Sequence, residues 1–426
     1  MAAVVAALVA ALAGPSWARA AWKKRIDRAI GGHSVGVVVR EHNKILYNHG
    51  GRIRRVPASN EKLLTSMAAF QNLGPDDITQ TLVTAHTISP TIEGNVFIFG
   101  HGDPAVSSPS RYARSLPFTP TRIAGLARQI RSAGVRRIRG SVIGSTTYFS
   151  HDWFTWGWKP DFPRDQVALA SALAYNGNVV RGTHISNPEL RAARSLTNQL
   201  EKIGVKVGGK PGAKPAPGGL AKVAMASSQP LDVLLRYMDV NSVNWYAEMM
   251  AKRVGAARFG PPGTIAKGAK AIRTYAAARH VSLAAYDGSG LSYANRVSPL
   301  GLVRLLHKAA REPWGEIFRN CLASGGRGTL AHRDTDITIK AKTGTLTNIS
   351  ALSGYVWLER DRMWAEFSIL DSGMPKWRAS NIEDRIVHIV AGSAMNGSVT
   401  APQDPAAQIV AGLEATPVET LLAATG

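Results

Sequence analysis

Apolar residues alternate with a period of two near the start of this chain, shift to a helical period, lose regularity through the middle and recover both periods towards the end. Residues 34–41 and 44–47 are Val- and Ile-containing runs around the turn pair His42-Asn43, which predicts a hairpin. Leu63, Leu64, Met67 and Phe70 then fall at i, i+1, i+4 and i+7, the spacing of one helix face. Between about residues 71 and 224 the pattern breaks into strand-like runs at 81–86, 95–99 and 138–143, helices around 121–133 and 189–203, and a Gly/Pro-rich loop over 208–219. Helical periodicity returns at 231–237, 245–254, 264–279 and 299–311. Residues 337–342, 351–359 and 363–370 predict a three-strand meander and 382–394 a closing helix, while the Ala-, Pro- and Thr-rich residues 399–426 predict a disordered tail.

A length of 426 residues exceeds one ordinary core, so two or more domains are expected. The chain carries 51 Lys plus Arg against 29 Asp plus Glu, a formal charge of +22. Charged residues are nevertheless only 19% and hydrophobic residues 45%, which excludes a disordered polycation: the apolar surface suffices to offset the ordering entropy of folding. The basic excess therefore sits outside folded domains, where it attracts anions of many kinds. No motif interleaves aromatic and basic residues on one element, so no nucleic-acid partner is expected.

Residues 2–13 are an unbroken run of Ala, Val and Leu, followed by Gly14-Pro15 and by the small-x-small pattern Ala18-Arg19-Ala20. Residues 1–20 thus read as a secretory signal peptide, although no Lys or Arg precedes the apolar run, and they are shorter than a spanning helix of roughly 20 apolar residues. The expectation is an exported, extracytoplasmic protein, soluble or peripherally membrane-associated, whose polyanionic surroundings are anionic wall polymers and the membrane surface. The single cysteine, Cys321, follows Ile317 and Phe318 at helical spacing and reads as a buried structural thiol. The eleven His are scattered and no metal-ligand spacing occurs, so neither a metal nor a cofactor is expected.

Three short patterns occur in order: Ser59-Asn60-Glu61-Lys62, Ser242-Val243-Asn244 and Lys342-Thr343-Gly344. A Ser at a helix start with Lys three residues on places hydroxyl and amine on one face. A neutral Lys62 amine can take the Ser59 proton, leaving Ser59 as nucleophile. Ser242 can relay a proton, and the Asn244 amide can hold a substrate peptide bond. Lys342 lies on an expected strand whose edge can pair with an extended peptide, while its charge serves a carboxylate or tunes Lys62. The backbone N–H groups of Ser59 and Thr345 are candidates for an oxyanion hole, worth roughly 3–4 kcal/mol per donor. Each pattern alone is weak; all three in order on suitable elements are not.

Together they form the S-x-x-K, S-x-N, K-T-G signature, and the sequence resembles the low-molecular-mass class C penicillin-binding proteins, the D-alanyl-D-alanine carboxypeptidase/endopeptidase family. Pro57 to Thr65 is similar to that family's nucleophile segment, Gly100-His101-Gly102-Asp103-Pro104 to its Gly-Asp-Pro loop, and Asp287-Gly288-Ser289-Gly290-Leu291-Ser292 with Asn295 to its loop before the third motif. The resemblance spans about residues 30–395. It implies an α/β (α+β) penicillin-recognising serine transpeptidase-like fold, an antiparallel sheet flanked by helices. The 179 residues between Lys62 and Ser242 match the family's large inserted domain. The implied division is a discontinuous catalytic domain (21–70 and 225–398) and an insertion (71–224).

The resemblance further implies catalytic roles for Ser59, Lys62, Ser242 and Lys342, and substrate binding by Asn244, Thr343, Gly344 and Thr345. Peptidoglycan stem peptides are the implied substrates and β-lactam antibiotics the acylating inhibitors. Two positions depart from the family pattern: Tyr293 stands where Arg is common, and Gly144-Ser145 where an Asp is common. Losing both charges removes the pairs that would hold a zwitterionic side-chain end, so a weaker preference for a free diaminopimelyl end is expected. Trp153, Phe154, Trp156 and Trp158 are expected to pack the insertion onto the catalytic domain, the alternative being stacking on sugar or peptide. Two rival readings are a serine β-lactamase, with Glu316 and Asn320 mimicking the deacylation pair, and a non-catalytic wall-binding protein on the same fold.

Overall fold

The computed structural model describes residues 16–180, 183–359 and 361–392. The apolar run of the expected signal and the expected tail lie outside the described residues. Six strands form one antiparallel sheet in the order Ala323–Ser324, Ile339–Leu346, Ile349–Leu358, Met363–Ser372, Val35–Glu41 and Lys44–His49. The early hairpin and the late meander therefore join: Val37 lies opposite Ile369.

Alternate residues of this sheet feed two cores, as the pleat requires. Leu352, Val356, Phe367 and Ile369 pack against Ile26 and Ile30 of the helix Ser16–Ile30 and against Ile382, Ile386 and Val390 of the closing helix Lys376–Gly392. Ala351, Tyr355 and Leu370 face the other way, onto a helical core that includes Leu302, Leu305 and Leu306. Burial on both faces explains why these strands read as continuous apolar runs. At the centre of the helical layer the helix Asn244–Phe259 is buried on every side from Asn244 to Ala256, and it packs on Glu61–Leu73 and Ile265–Ala277.

Residues 80–227 build separate sheets. A mixed five-stranded sheet runs Gly212–Lys214, Val142–Ser145, Val96–Phe99, Gln80–Ala85, Ala221–Ser227, its first two pairings parallel and its last two antiparallel. The helices Ile123–Ser132 and Pro188–Lys202 cover it through Ile123, Leu126, Ile130, Leu196 and Leu200. The second helix starts where its sequence dictates: Asn187 Oδ1 accepts from the Leu190 N–H at 2.9 Å, and Pro188 occupies the first turn.

Several expectations need correction. The run 138–143 is two strands, Arg137–Ile138 and Val142–Ser145, separated by a turn at Arg139-Gly140. The Gly/Pro-rich stretch 208–219 contains the strand Gly212–Lys214, recruited by parallel pairing to Val142–Ser145 rather than by its own propensity. The closing helix begins at Lys376, a turn and a half earlier than its apolar face suggested. The aromatic cluster divides: Trp158 is buried and its Nε1 donates to Asp287 Oδ2 at 2.7 Å, whereas Phe154 and Trp156 are 53% and 73% exposed.

Candidate active site

Ser59 sits in a single 3-10 turn, Ala58–Asn60, that leads into the helix Glu61–Leu73. Ala58 is held at φ 45°, a conformation unfavourable for a non-glycine residue. A Cβ at Gly290 would lie 1.9 Å from the Ala58 carbonyl oxygen, so only glycine lets this loop press on the turn that carries Ser59.

Lys62 is fully buried, and its Nζ has three acceptors around it: Ser59 Oγ at 2.9 Å, Asn244 Oδ1 at 2.7 Å and the Ser289 carbonyl at 2.8 Å. The Asn244 amide is fixed at its other end, where Nδ2 donates to the Gln166 carbonyl at 3.1 Å. Ser242 occupies the corner between the helices Leu231–Asn241 and Asn244–Phe259 in the left-handed region, φ 59° and ψ 35°. That strained residue allows two helices to meet with only two residues between them, which is what delivers Asn244 to Lys62.

Lys342 is also fully buried; its Nζ donates to the Thr343 carbonyl at 2.9 Å, and its own carbonyl accepts from Asn60 Nδ2 at 3.1 Å. Its strand Ile339–Leu346 extends through the whole third motif, beyond the expected end at 342. On one side residues 342–346 pair with Ile349–Leu358; on the other, Ala323–Ser324 covers only Lys340 and Ala341. Among the described residues no strand covers Thr343–Leu346 on that edge, and Thr345 is exposed. Gly344 approaches so closely that a Cβ there would lie 3.0 Å from the Ser59 backbone nitrogen and 2.9 Å from the Pro57 carbonyl. Lys62 and Gly344 thus reach Ser59 directly, and Asn244 of the second motif reaches it through Lys62.

Buried carboxyl groups lie behind this constellation. Asp239 accepts from Ser66 Oγ at 2.6 Å, one helical turn beyond Lys62; burial pushes it up to about 7 against the opposing pull of Ser66, Lys342 and Lys62. Glu248 receives the N–H groups of Gly288 at 3.0 Å and Ser289 at 2.7 Å, and burial followed by Asp287 pushes it up to about 8. Asp287 receives Gly290 N, Ser292 N and Asn295 Nδ2. These contacts pin the loop that presents the Ser289 carbonyl to Lys62. Glu61 is raised too, by burial first and then by Asp287 and Glu248. Nothing local in the sequence marks Asp239, Glu248 or Gln166, and Ser289 stands out there only as part of the loop before the third motif; Asp239, three residues before Ser242, reads as a polar residue within a helix.

At the rim, the Tyr293 hydroxyl accepts from the Thr347 N–H at 3.2 Å and its ring stacks on Phe162 at 6.4 Å. Lys159 Nζ lies 5.4 Å from the same ring and donates to Thr347 Oγ1 at 3.3 Å. A cation thus stands beside Tyr293, contributed by a different segment. Gly144 instead packs on the Glu189 carbonyl, with no room for a side chain. Cys321 is buried and its thiol is pushed well up by burial, so it is inert. Glu316 is exposed, and no hydrogen bond among the described residues ties Glu316 or Asn320 to the three motifs. No group of three or more His, Cys, Asp or Glu that could hold a metal ion occurs among the described residues.

A hydroxyl on a strained turn, an amine within hydrogen-bond reach and an open strand edge suit acyl transfer from an extended peptide. Comparison with known proteins agrees. The D-alanyl-D-alanine carboxypeptidase of Actinomadura sp. (strain R39) is 26% identical over 442 residues, covering 82% of this chain and 79% of that protein. Carboxypeptidase DacB of Mycolicibacterium smegmatis is 30% identical, covering 73% and 70%. Penicillin binding protein 4 (dacB) of Haemophilus influenzae shares the fold with a TM-score of 0.73 at 18% identity, over 86% of this chain and 99% of that one. The model of the D-Ala-D-Ala carboxypeptidase 3 (S13) family matches residues 23–184 and 178–393, and this chain belongs to that family.

Proposed function

We propose that this protein is an exported serine D-Ala-D-Ala carboxypeptidase and/or endopeptidase that hydrolyses peptidoglycan stem peptides through a Ser59 acyl-enzyme. The contact of Lys62 Nζ with Ser59 Oγ carries the reading. A neutral amine has two N–H groups and one lone pair. Once Lys62 is neutral, its N–H groups stay on Asn244 Oδ1 and the Ser289 carbonyl, and the contact with Ser59 Oγ reverses, the Ser59 O–H donating to the lone pair. Ser59 Oγ then attacks the carbonyl carbon of the penultimate D-Ala, Lys62 takes the proton, and the oxyanion meets the N–H groups of Ser59 and Thr345. As the C–N bond breaks, Ser242 passes a proton to the leaving amine, and water hydrolyses the ester. Asn244 holds the acyl part, while Lys342, Thr343 and Thr345 receive the terminal carboxylate beside Gly344.

β-Lactams acylate the same hydroxyl in this scheme, and the Haemophilus influenzae protein has been solved complexed with one. Residues 71–224 serve as the inserted domain and 21–70 with 225–398 as the catalytic one. The +22 charge holds the enzyme against anionic wall polymers or membrane by a salt-screened attraction. Lys159 beside Tyr293 favours a carboxylate on the substrate's side-chain end, and nothing at Gly144-Ser145 answers its ammonium group, so the zwitterionic end is not strongly preferred. Labelled penicillin tests the central claim: a stable mass increase on Ser59, with release of D-Ala from a stem pentapeptide, is expected. No adduct would favour a non-catalytic wall-binding protein, and rapid repeated turnover of penicillin a β-lactamase.

A further inference from the structure

Away from the active site, the helices Ser16–Ile30 and Lys376–Gly392 pack on the same face of the six-stranded sheet, and a cleft of about 310 Å³ opens where they meet. Arg25, Arg28, Arg385, His388 and Ile389 line it. Three guanidinium groups in one cleft repel one another unless acids answer them. The neighbouring acids face other groups: Asp384 accepts from Arg333 Nε at 2.8 Å, Asp336 Oδ1 pairs with His388 Nε2 at 2.8 Å, Asp334 Oδ1 lies 3.4 Å from His388 Nδ1, and Asp27 accepts from the Tyr47 hydroxyl at 2.6 Å. Among the described residues no carboxylate forms an ion pair with Arg25, Arg28 or Arg385. All three arginines are exposed, so the cleft presents positive charge to an anion from outside the chain.

A second feature identifies the source of that anion. Trp377, Asn381, Arg385 and His388 stand at i, i+4, i+8 and i+11 on the closing helix, which is one stripe. Trp377 is 62% exposed and lies between Lys376 and Arg378, whose guanidinium is 5.1 Å from its ring. The first helix adds the exposed Lys23 and Lys24. A hydrophilic phosphate polymer gives an exposed indole nothing to bury in, whereas a bilayer interface does.

We propose that this face docks on an anionic membrane, with a lipid phosphate seated among Arg25, Arg28 and Arg385 and the Trp377 indole at headgroup level. No helix among the described residues is long and apolar enough to cross a membrane. The proposal stands independently of the hydrolytic reading, because it concerns adsorption and not turnover.

Sedimentation of the exported protein, without its expected signal at residues 1–20, with large vesicles of phosphatidylcholine, alone or with 30% phosphatidylglycerol, tests it, with folding checked by thermal melting. Binding only to the anionic vesicles is expected. Arg385→Gln should weaken it about fivefold, and Arg25→Gln/Arg28→Gln/Arg385→Gln on the order of a hundredfold. A control with the same charge change, Arg122→Gln/Arg128→Gln/Arg137→Gln, should lose far less. Trp377→Ala should remove the part of the binding that survives high salt. Equal losses in the two triple variants would reduce the effect to diffuse charge and overturn the site. Indifference to Trp377→Ala, or tighter binding to soluble poly(glycerol phosphate) than to vesicles, would overturn the membrane assignment.

Discussion

Around Ser59, the side chains of Glu61, Lys62, Asp239, Glu248, Asp287 and Lys342 are all at most 1% exposed, whereas the core under the helices Ile123–Ser132 and Pro188–Lys202 is made of Val, Ile, Leu and Ala with Tyr175 at its margin. Buried ions cost several kcal/mol each before their partners respond, while buried hydrocarbon stabilises by about 25 cal/mol per Å². The first region gives up stability for a fixed arrangement of donors and acceptors; the second supplies packing and needs no special chemistry. Truncation in one should therefore be felt as stability, and a small geometric change in the other as rate.

Leu196→Ala, in the apolar core, should have the largest effect. It is expected to lower unfolding free energy by about 2–5 kcal/mol in denaturant titration while the folded enzyme keeps its penicillin acylation rate. A comparable loss of rate would show that the two regions are not separable. Gly344→Ala should do the opposite. Its Cβ would crowd Ser59 N, Pro57 O and Asn60 Nδ2, and a roughly hundredfold drop in acylation with little change in Tm is expected.

The pH dependence of stability sharpens the contrast. Glu248 is pushed up to about 8 in the folded protein, against an ordinary value of 4.5. Between those values the unfolded chain binds fewer protons than the native one, so this group makes stability fall as pH rises from about 5 to 8. Asp239, Glu366 and Asp371 act in the same direction, so Glu248→Gln should lessen that slope in Tm measured against pH without abolishing it; an unchanged slope would mean that the Glu248 carboxyl is not held neutral. The smallest effect is expected for Lys159→Ala, roughly threefold in kcat/KM and confined to stem peptides whose side-chain end carries a carboxylate. Equal loss on peptides lacking it would remove Lys159 from substrate selection.

Much of this arrangement was legible in the sequence because it rests on local signals. Ser59 and Lys62 fall on one face of a helix start, and the Val- and Ile-rich strands announce themselves by composition. What stayed hidden depends on partners distant in the chain. Gly212–Lys214 becomes a strand only beside Val142–Ser145. Asp239 looks like a solvated helix residue until Ser66 and the two lysines surround it. Lys159 gains meaning only when Tyr293 and Thr347 arrive beneath it. Gly344 carries a turn signal that shortens the third-motif strand in the sequence; the paired strand Ile349–Leu358 overrides it.

The pairing of Val35–Glu41 with Met363–Ser372 also sets a timetable. A strand made early, next to the edge strand Lys44–His49, waits for a strand made near the end, and the Lys62–Asn244 and Asn60–Lys342 bonds close loops of 182 and 282 residues. Contacts so far apart in the chain form late and slowly, after the local elements between them. A chain that emerges from its N-terminus therefore carries Ser59 and Lys62 for most of its synthesis without the strand edge that would present a peptide to them. On the proposed mechanism the Ser59 hydroxyl is armed only when nearly the whole chain has arrived, so the topology itself would delay activity until folding is complete.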